Sequence, residues 1–196
     1  MKEIWIATSN KNKVREFQDM FQNVNINVKS LLDLTNPIPE IPETGTTFKE
    51  NAFCKADFLS KLINKPVLAD DSGLEIIGLD HFPGVNTRRW AYPITDNKII
   101  NDLLIEKCQL LERRDAQAIC ALCYIDPIKE VRMFFEGVTE GLITDKAIGY
   151  NAFGYGTIFL IPELGRTYAE LTLTEKNKYS HRGKAFEAFK KWWLGE

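Results

Sequence analysis

The chain opens on a short apolar run, EIWIAT, that breaks at Ser9 and Asn10. In the following KNKVREFQDMFQNV, Val14, Phe17, Met20 and Phe21 recur at helical spacing, opposite Lys13, Arg15 and Glu16. The pattern predicts a strand, a polar turn and an amphipathic helix, with Ser9 or Asn10 at the cap. INVKSLLDL predicts a second strand and a loop, and TNPIPEIPETGTT, with three prolines and a glycine, predicts a loop. TFKENAFCKADFLSKLI then places Phe48, Ala52, Phe53, Ala56, Leu59 and Leu62 on one side of a second helix.

KPVLADDSGLEI reads as strand, turn, strand, with the turn at the two aspartates. DHFPGVNTRRWAYPITD reads as loop, and NKIINDLLIEKC as a helix with Ile99, Leu103 and Leu104 inward. AQAICALCYID and EVRMFFEGVTEGLI resemble the two strands of a hairpin, the second bending at a glycine. GYNAFGYGTIFLIPELG passes from glycine-rich to apolar and ends in a turn at Pro162. The last segment predicts a short acidic-capped stretch, a polar loop through KNKYSHRG, and a C-terminal helix opened by Gly183. No repeat, low-complexity tract or linker interrupts residues 1–196. The expectation is a single mixed α/β domain, which two lobes flanking a cleft would accommodate.

Composition narrows the function classes. A chain of 196 residues with 44% hydrophobic side chains can bury one good-sized core or two smaller ones. The 25 basic and 27 acidic side chains leave a formal charge of −2, without the basic excess of a nucleic-acid-binding domain. No apolar stretch approaches the roughly 18 residues of a membrane span. The apolar start is too short for a secretory signal, so a soluble cytoplasmic protein without nucleic-acid or membrane partners is expected. Cys120 and Cys123 form a C-x-x-C that could signal zinc or redox chemistry, but its apolar, strand-like surroundings favour buried structural thiols.

Four polar clusters stand at the ends of apolar runs, where α/β enzymes build their sites. Thr8, Ser9, Asn10, Lys11, Asn12 and Lys13 offer hydroxyls, amides and ammonium groups at a helix N-terminus, which suits an anion; ordinary capping by Ser9 or Asn10 explains the same residues. In PETGTTFKENAFCKA, Thr46 or Thr47 with Glu50 partly forms a capping box, leaving Glu40 and Glu43 on the loop for a cation. Asp70 and Asp71 either face water in a turn or hold a metal, since buried carboxylates need partners. Adjacent side chains on an extended chain point to opposite faces, so at most one of them serves a given site. Ser180, His181 and Arg182 present several donors to a planar ligand, and donors suit a keto oxygen better than an amino group. His81 reads as a plain loop residue. An anion cradle, carboxylates for a cation and a donor-rich segment are together what a nucleoside triphosphate with Mg²⁺ requires.

IATSNKNKVREF, ETGTTFKENAFCKA, LADDSGLEI, PGVNTRRWA, FGYGTIF and AELTLTEKNKYSHRGKAF resemble, in order, the signature blocks of the Ham1-like inosine triphosphate pyrophosphatase family. The resemblance implies a two-lobed mixed α/β fold around a long central sheet, with substrate in the cleft, and usually a homodimer. It implies Mg²⁺-dependent hydrolysis of ITP, dITP and XTP to the monophosphate and pyrophosphate, clearing deaminated purines from the nucleotide pool. Carried over block by block, Thr8 to Lys13 hold the triphosphate and Asp71 is the catalytic base and a metal ligand, with Asp70 as its support. Ser72 touches substrate, Phe153, Gly154 and Tyr155 wall the base, and Lys176, His181 and Arg182 recognise the 6-keto purine. Two positions depart from the family pattern. Pro42 stands where the family places a metal-binding glutamate, leaving Glu43 or Glu40 to serve. Gly156 and Thr157 replace Asp-Pro at a base-site position, so Gly156 bears on base selectivity and its freedom would loosen that wall. The alternative these departures raise is a nucleotide-binding protein of the same fold with lost or altered catalysis.

Overall fold

The computed structural model describes residues 2–195 apart from 23, 25, 37, 39, 40, 151 and 152. Its strands are β1 (Lys2–Ile6), β2 (Ile26–Ser30), β3 (Val67–Ile76), β4 (Phe82–Gly84), β5 (Asp115–Asp126), β6 (Val131–Ile143), β7 (Phe159–Ile161) and β8 (Arg166–Thr167). The helices are α1 (Lys11–Met20), α2 (Phe48–Ile63), α3 (Asn97–Lys107), α4 (Leu173–Tyr179) and α5 (His181–Leu194). The strands form one mixed sheet in the order β2-β1-β3-β5-β6-β7-β8, with β4 paired to β3. Contacts divide the chain into two compact units. The first comprises Met1–Asp71, Cys120–Gly137 and Arg182–Glu196, and the second Ser72–Ile119 and Val138–His181.

In the first unit β1, α1 and β2 form a strand–helix–strand crossover, and β1 lies parallel to both β2 and β3. The pairs Trp5↔Val67 and Ile6↔Leu68 set the register, so the chain leaving β1 for α1 runs beside the stretch of β3 that carries Asp70. Phe17 and Phe21 of α1 interlock with Phe186 and Phe189 of α5 over Ile4, Ile6, Leu68 and Leu122. Cys120 and Cys123 are buried in this unit, and burial pushes both thiols up to about 12, which leaves them inert. The second unit has its own core, in which Leu104 and Cys108 meet Leu74, Ile76, Phe159 and Tyr168.

The structure corrects four local expectations. β3 is a single strand through Asp70, Asp71, Ser72 and Gly73, with no turn; the carboxylates have buried partners and therefore need no exit to water. The inward stripe of α3 contains Ile100, Leu104 and Cys108, spaced by four residues, and leaves Ile99 half exposed. On α2 the buried face is Phe48, Ala52, Ala56 and Leu59 together with Asn51, Lys55 and Ser60, while Leu62 lies in the last turn and is exposed. The expected loop at KNKYSHRG is the end of α4, an extended Ser180, and the start of α5 at His181 rather than at Gly183. A capping box of Thr172 with Glu175 starts α4, and this early nucleation draws Lys176 into the helix. Among the described residues no helix is long and apolar enough to cross a membrane.

Candidate active site

Pleating of β3 sends its adjacent aspartates to different helices of the first unit. Asp70 Oδ2 accepts from Lys13 Nζ of α1 at 2.8 Å and from Arg182 Nη2 and Nε of α5 at 3.1 and 3.3 Å. Arg182 also donates from Nη1 to Glu16, another buried carboxylate on α1. Burial alone would raise the Asp70 carboxyl, but Lys13, Arg182 and Lys55 outweigh it and hold it well below the ordinary carboxylate range. Asp70 is thus a strut between α1, β3 and α5 that stays ionised further into acid than an ordinary carboxylate.

Asp71 turns to α2. Its Oδ1 lies 2.8 Å from Lys55 Nζ and its Oδ2 accepts from Asn51 Nδ2 at 3.1 Å. The Asn51 amide is fixed in turn, because its Oδ1 accepts from the Gly45 N–H at 2.8 Å. Only glycine allows that approach, since a Cβ at Gly45 would stand 2.7 Å from Glu50 Cβ and 2.8 Å from Asn51 Oδ1. The capping box of Thr47 and Glu50 aims the first turn of α2 at this loop. Glu43, on the same loop, reaches Lys55 Nζ at 2.9 Å, so two carboxylates converge on one ammonium group. Burial raises the Asp71 carboxyl and Glu43 adds to the rise, and Lys55 only partly opposes them. The result is a carboxylate more basic than usual beside one that is far less so.

The structure therefore brings Asp71 and Glu43 to a common cation, while Pro42 is exposed and Glu40 lies outside the described residues. Lys11 and Asn12 are exposed at the start of α1. Asn10 is the cap: its Oδ1 takes the Asn12 and Lys13 amides at 3.0 and 3.4 Å, and Thr8 Oγ1 takes the Asn10 amide at 3.2 Å. The backbone donors expected for an anion are in part occupied by Asn10, so the anion-attracting groups of this turn are chiefly its ammonium groups and hydroxyls.

The second unit gathers a different set. Lys176 is buried, its Nζ 4.5 Å from the Phe153 ring centre and 5.8 Å from that of Tyr168, where the ring faces stabilise the cation. His181 is buried between two phenols, with Nδ1 3.3 Å from Tyr168 Oη and Nε2 3.4 Å from Tyr155 Oη. Tyr155 Oη also donates to the Gly73 carbonyl at 3.2 Å, one residue beyond Ser72. Phe153, Gly154, Tyr155 and Gly156 form a 3-10 turn and its cap, held by Asn101 of α3. Of the triad read as Lys176, His181 and Arg182, the first two belong to this set, whereas the Arg182 guanidinium lies on Asp70 and Glu16 in the first unit.

Sequence reasoning left Asn51, Tyr168 and Asn101 without a role, placed Lys55 on α2 without assigning one, and set Glu16 on the polar side of α1, where the structure instead buries it against Arg182. The visible signal was on α2, where Asn51 and Lys55 interrupt the apolar stripe at a four-residue spacing.

A mixed sheet with buried acid–cation pairs and a separate aromatic set is the kind of α/β scaffold on which small-molecule enzymes build their sites. The Ham1 family model matches residues 4–192, and the chain belongs to the Ham1 family. Proteins named dITP/XTP pyrophosphatase from Bacillus anthracis and Listeria monocytogenes are 42% and 41% identical to it. The first match covers 100% of both chains, and the second covers 97% of this chain and 94% of the relative. The solved Staphylococcus aureus Ham1 protein is similar with a TM-score of 0.87 at 34% identity, over 99% of each chain. A HAM1 protein from Coxiella burnetii gives 0.89 at 34% identity over 100% of each.

Proposed function

We propose that this chain, working as one catalytic domain over residues 1–196, hydrolyses non-canonical purine nucleoside triphosphates (ITP, dITP and XTP) to the monophosphate and pyrophosphate. The observation that carries this reading is the split between Asp70 and Asp71. Lys13 and Arg182 keep Asp70 ionised, and it serves as support; Asp71 is held basic by its surroundings and is oriented by Lys55 and Asn51. A general base works best when its pKa is raised toward the working pH, and Asp71 is so placed.

Asp71 takes a proton from water, the water oxygen attacks the α-phosphorus, and the bond to the bridging oxygen breaks so that pyrophosphate leaves with the electron pair. Lys11, Lys13, Thr8, Ser9, Asn10 and Asn12 serve the phosphates. The donor set fits Mg²⁺, which takes one or two carboxylates along with substrate phosphates, and Asp71 with Glu43 would hold it. Bound there, the ion would neutralise phosphate charge and polarise the reacting phosphorus centre. The homodimer and cytoplasmic location implied by the family resemblance belong to the same reading.

Lys176 and His181 serve the base, with Phe153, Gly154, Tyr155 and Gly156 as its wall and Ser72 touching the substrate. An ammonium group only donates, so a 6-keto oxygen offers Lys176 an acceptor, whereas an adenine amino group offers none and is disfavoured. Arg182 contributes indirectly, by anchoring Asp70.

The test is pyrophosphate release from ITP, XTP, dGTP and ATP, with Mg²⁺ and with EDTA. Mg²⁺-dependent release that favours ITP and XTP is expected. Equal release from all four overturns the base assignment while keeping the enzyme. Binding of ITP without release moves the chain to the non-catalytic alternative and makes Pro42 the residue to restore to glutamate.

A further inference from the structure

The turn that walls the base is poorly constrained by its own backbone. Two of its four residues, Gly154 and Gly156, are glycines; Gly154 has φ +62° and nothing within 4 Å of where a Cβ would stand. Such a segment loses more conformational freedom on ordering than any other kind. Its internal hydrogen bonds, Gly156 N–H to Phe153 O at 3.3 Å and Ile158 N–H to Tyr155 O at 3.0 Å, are few. One side chain spans it from outside: Asn101 Nδ2 donates to the Gly154 carbonyl at 2.9 Å and to Thr157 Oγ1 at 3.0 Å. A single amide group thereby ties the first residue of the turn to the last. Asn101 is only 4% exposed, and it sits one helical turn from Leu104 and Ile105, both packed in the second core. The amide is consequently carried by a rigid element. Phe153 at the cap of this turn receives Lys176, and Tyr155 within it meets His181.

We infer that Asn101, through its clamp on Gly154 and Thr157, is a positioning residue for base recognition that sets where Phe153 and Tyr155 stand against Lys176 and His181. The inference rests on the reading of Lys176 and His181 as the base-recognising groups. Among the described residues Asn101 hydrogen-bonds to Gly154 and Thr157 and not to the groups assigned to the phosphates, so its effect is expected on the base.

The experiment uses the full chain with Asn101→Leu, which keeps bulk and removes the donors, and Thr157→Val, which keeps shape and removes one acceptor. Binding of IMP and of tripolyphosphate is measured by calorimetry, alongside kcat and KM for ITP. For Asn101→Leu, the IMP Kd and the ITP KM are expected to rise about tenfold, the effect of losing a hydrogen-bonded clamp. Tripolyphosphate binding and kcat are expected to stay within about twofold, as for groups outside the clamp. Thr157→Val should show a smaller rise that disappears in the Asn101→Leu background, because the two share one hydrogen bond. If Asn101→Leu fails to fold, the smaller rise in IMP Kd and ITP KM in Thr157→Val, with tripolyphosphate binding and kcat within about twofold, supports the clamp by itself.

Unchanged IMP binding in both variants, with an active wild type, overturns the inference and leaves the function standing. An equal loss of IMP binding, tripolyphosphate binding and kcat overturns it too, as that pattern reports general structural damage. A wild type that neither binds IMP nor releases pyrophosphate from ITP overturns the functional reading, and the inference with it.

Discussion

The polar side chains around Asp70 and Asp71 in the first unit are held by charge, whereas Lys176 and His181 in the second stand among aromatic rings. Around Asp70 and Asp71 stand ion pairs and hydrogen bonds to carboxylates from Lys13, Arg182, Lys55 and Asn51, with Glu16 and Glu43 behind them. Around Lys176 and His181 the neighbours include Phe153, Tyr155 and Tyr168, and the 3-10 turn that carries Tyr155 is tied by Asn101, by the Ile148 N–H on the Thr157 carbonyl and by Tyr155 Oη on the Gly73 carbonyl. On the proposed reading, the contrast follows from what each set would recognise. Phosphates and a cation are read by charge, which needs carboxylates and ammonium groups locked in place against the cost of burial. A purine is read by shape and by which of its edges accept a hydrogen bond, which needs flat walls and a few aimed donors.

The comparison breaks first at Asp71. Asp71→Asn should lower kcat for ITP by a factor on the order of 10² to 10⁴, the range for loss of a general base. The fold should survive, because the raised Asp71 pKa means its ionisation subtracts stability as the pH rises from 3.8 through the folded value. Circular dichroism beside a pyrophosphate assay checks both halves. The acid limb of kcat/KM in the native chain should have its midpoint above 3.8.

Asp70→Asn should do the reverse and act on stability. It leaves Arg182 buried with one carboxylate fewer, a loss of about 3–5 kcal/mol as for other broken buried pairs. The folded pKa of Asp70 lies below its unfolded value, so its contribution is fully present above pH 3.8 and is lost as the pH falls below it. Denaturation measured against pH should show a steep acid decline in the native chain and a shallow one in the variant. Equal slopes would remove Asp70 from its role as strut.

In the second unit Lys176→Met keeps the packed stem and removes the donor. The preference for ITP over ATP should fall roughly 10- to 100-fold, the worth of a charged hydrogen bond, with kcat for the better substrate little changed. A loss of kcat without loss of preference would move Lys176 to the phosphate side. The smallest effect is expected at Thr47→Ala, which removes the cap of α2 and should cost about 1 kcal/mol, read as a lower Tm. Base preference should stay as it was, since α2 belongs to the charged set.

Much of this arrangement is readable from residue order. The alternation and spacing of apolar positions locate β1, α1, α2, the β5–β6 pair and α5, because local periodicity reflects which face is buried. The six signature blocks point to the family, which the match over residues 4–192 bears out. The caps of α1 and α2 show themselves to within one residue, as Ser9 or Asn10 and Thr46 or Thr47, because their hydrogen bonds are made within three residues along the chain.

What the tertiary structure alone decides is which partner each charge finds. Residue order offers Asp70 and Asp71 a turn, and the turn reading fails because Lys13, Lys55 and Arg182 arrive from α1, α2 and α5. Arg182, 112 residues further along, is what makes a straight strand through two acids tolerable. Likewise Glu43 rather than Pro42 reaches Lys55, and Arg182 leaves His181 for Asp70, although the two are neighbours in sequence. A periodic pattern states that a position is buried; the energy of burying a charge depends on what stands a few ångströms away across the fold, and no local pattern encodes that distance.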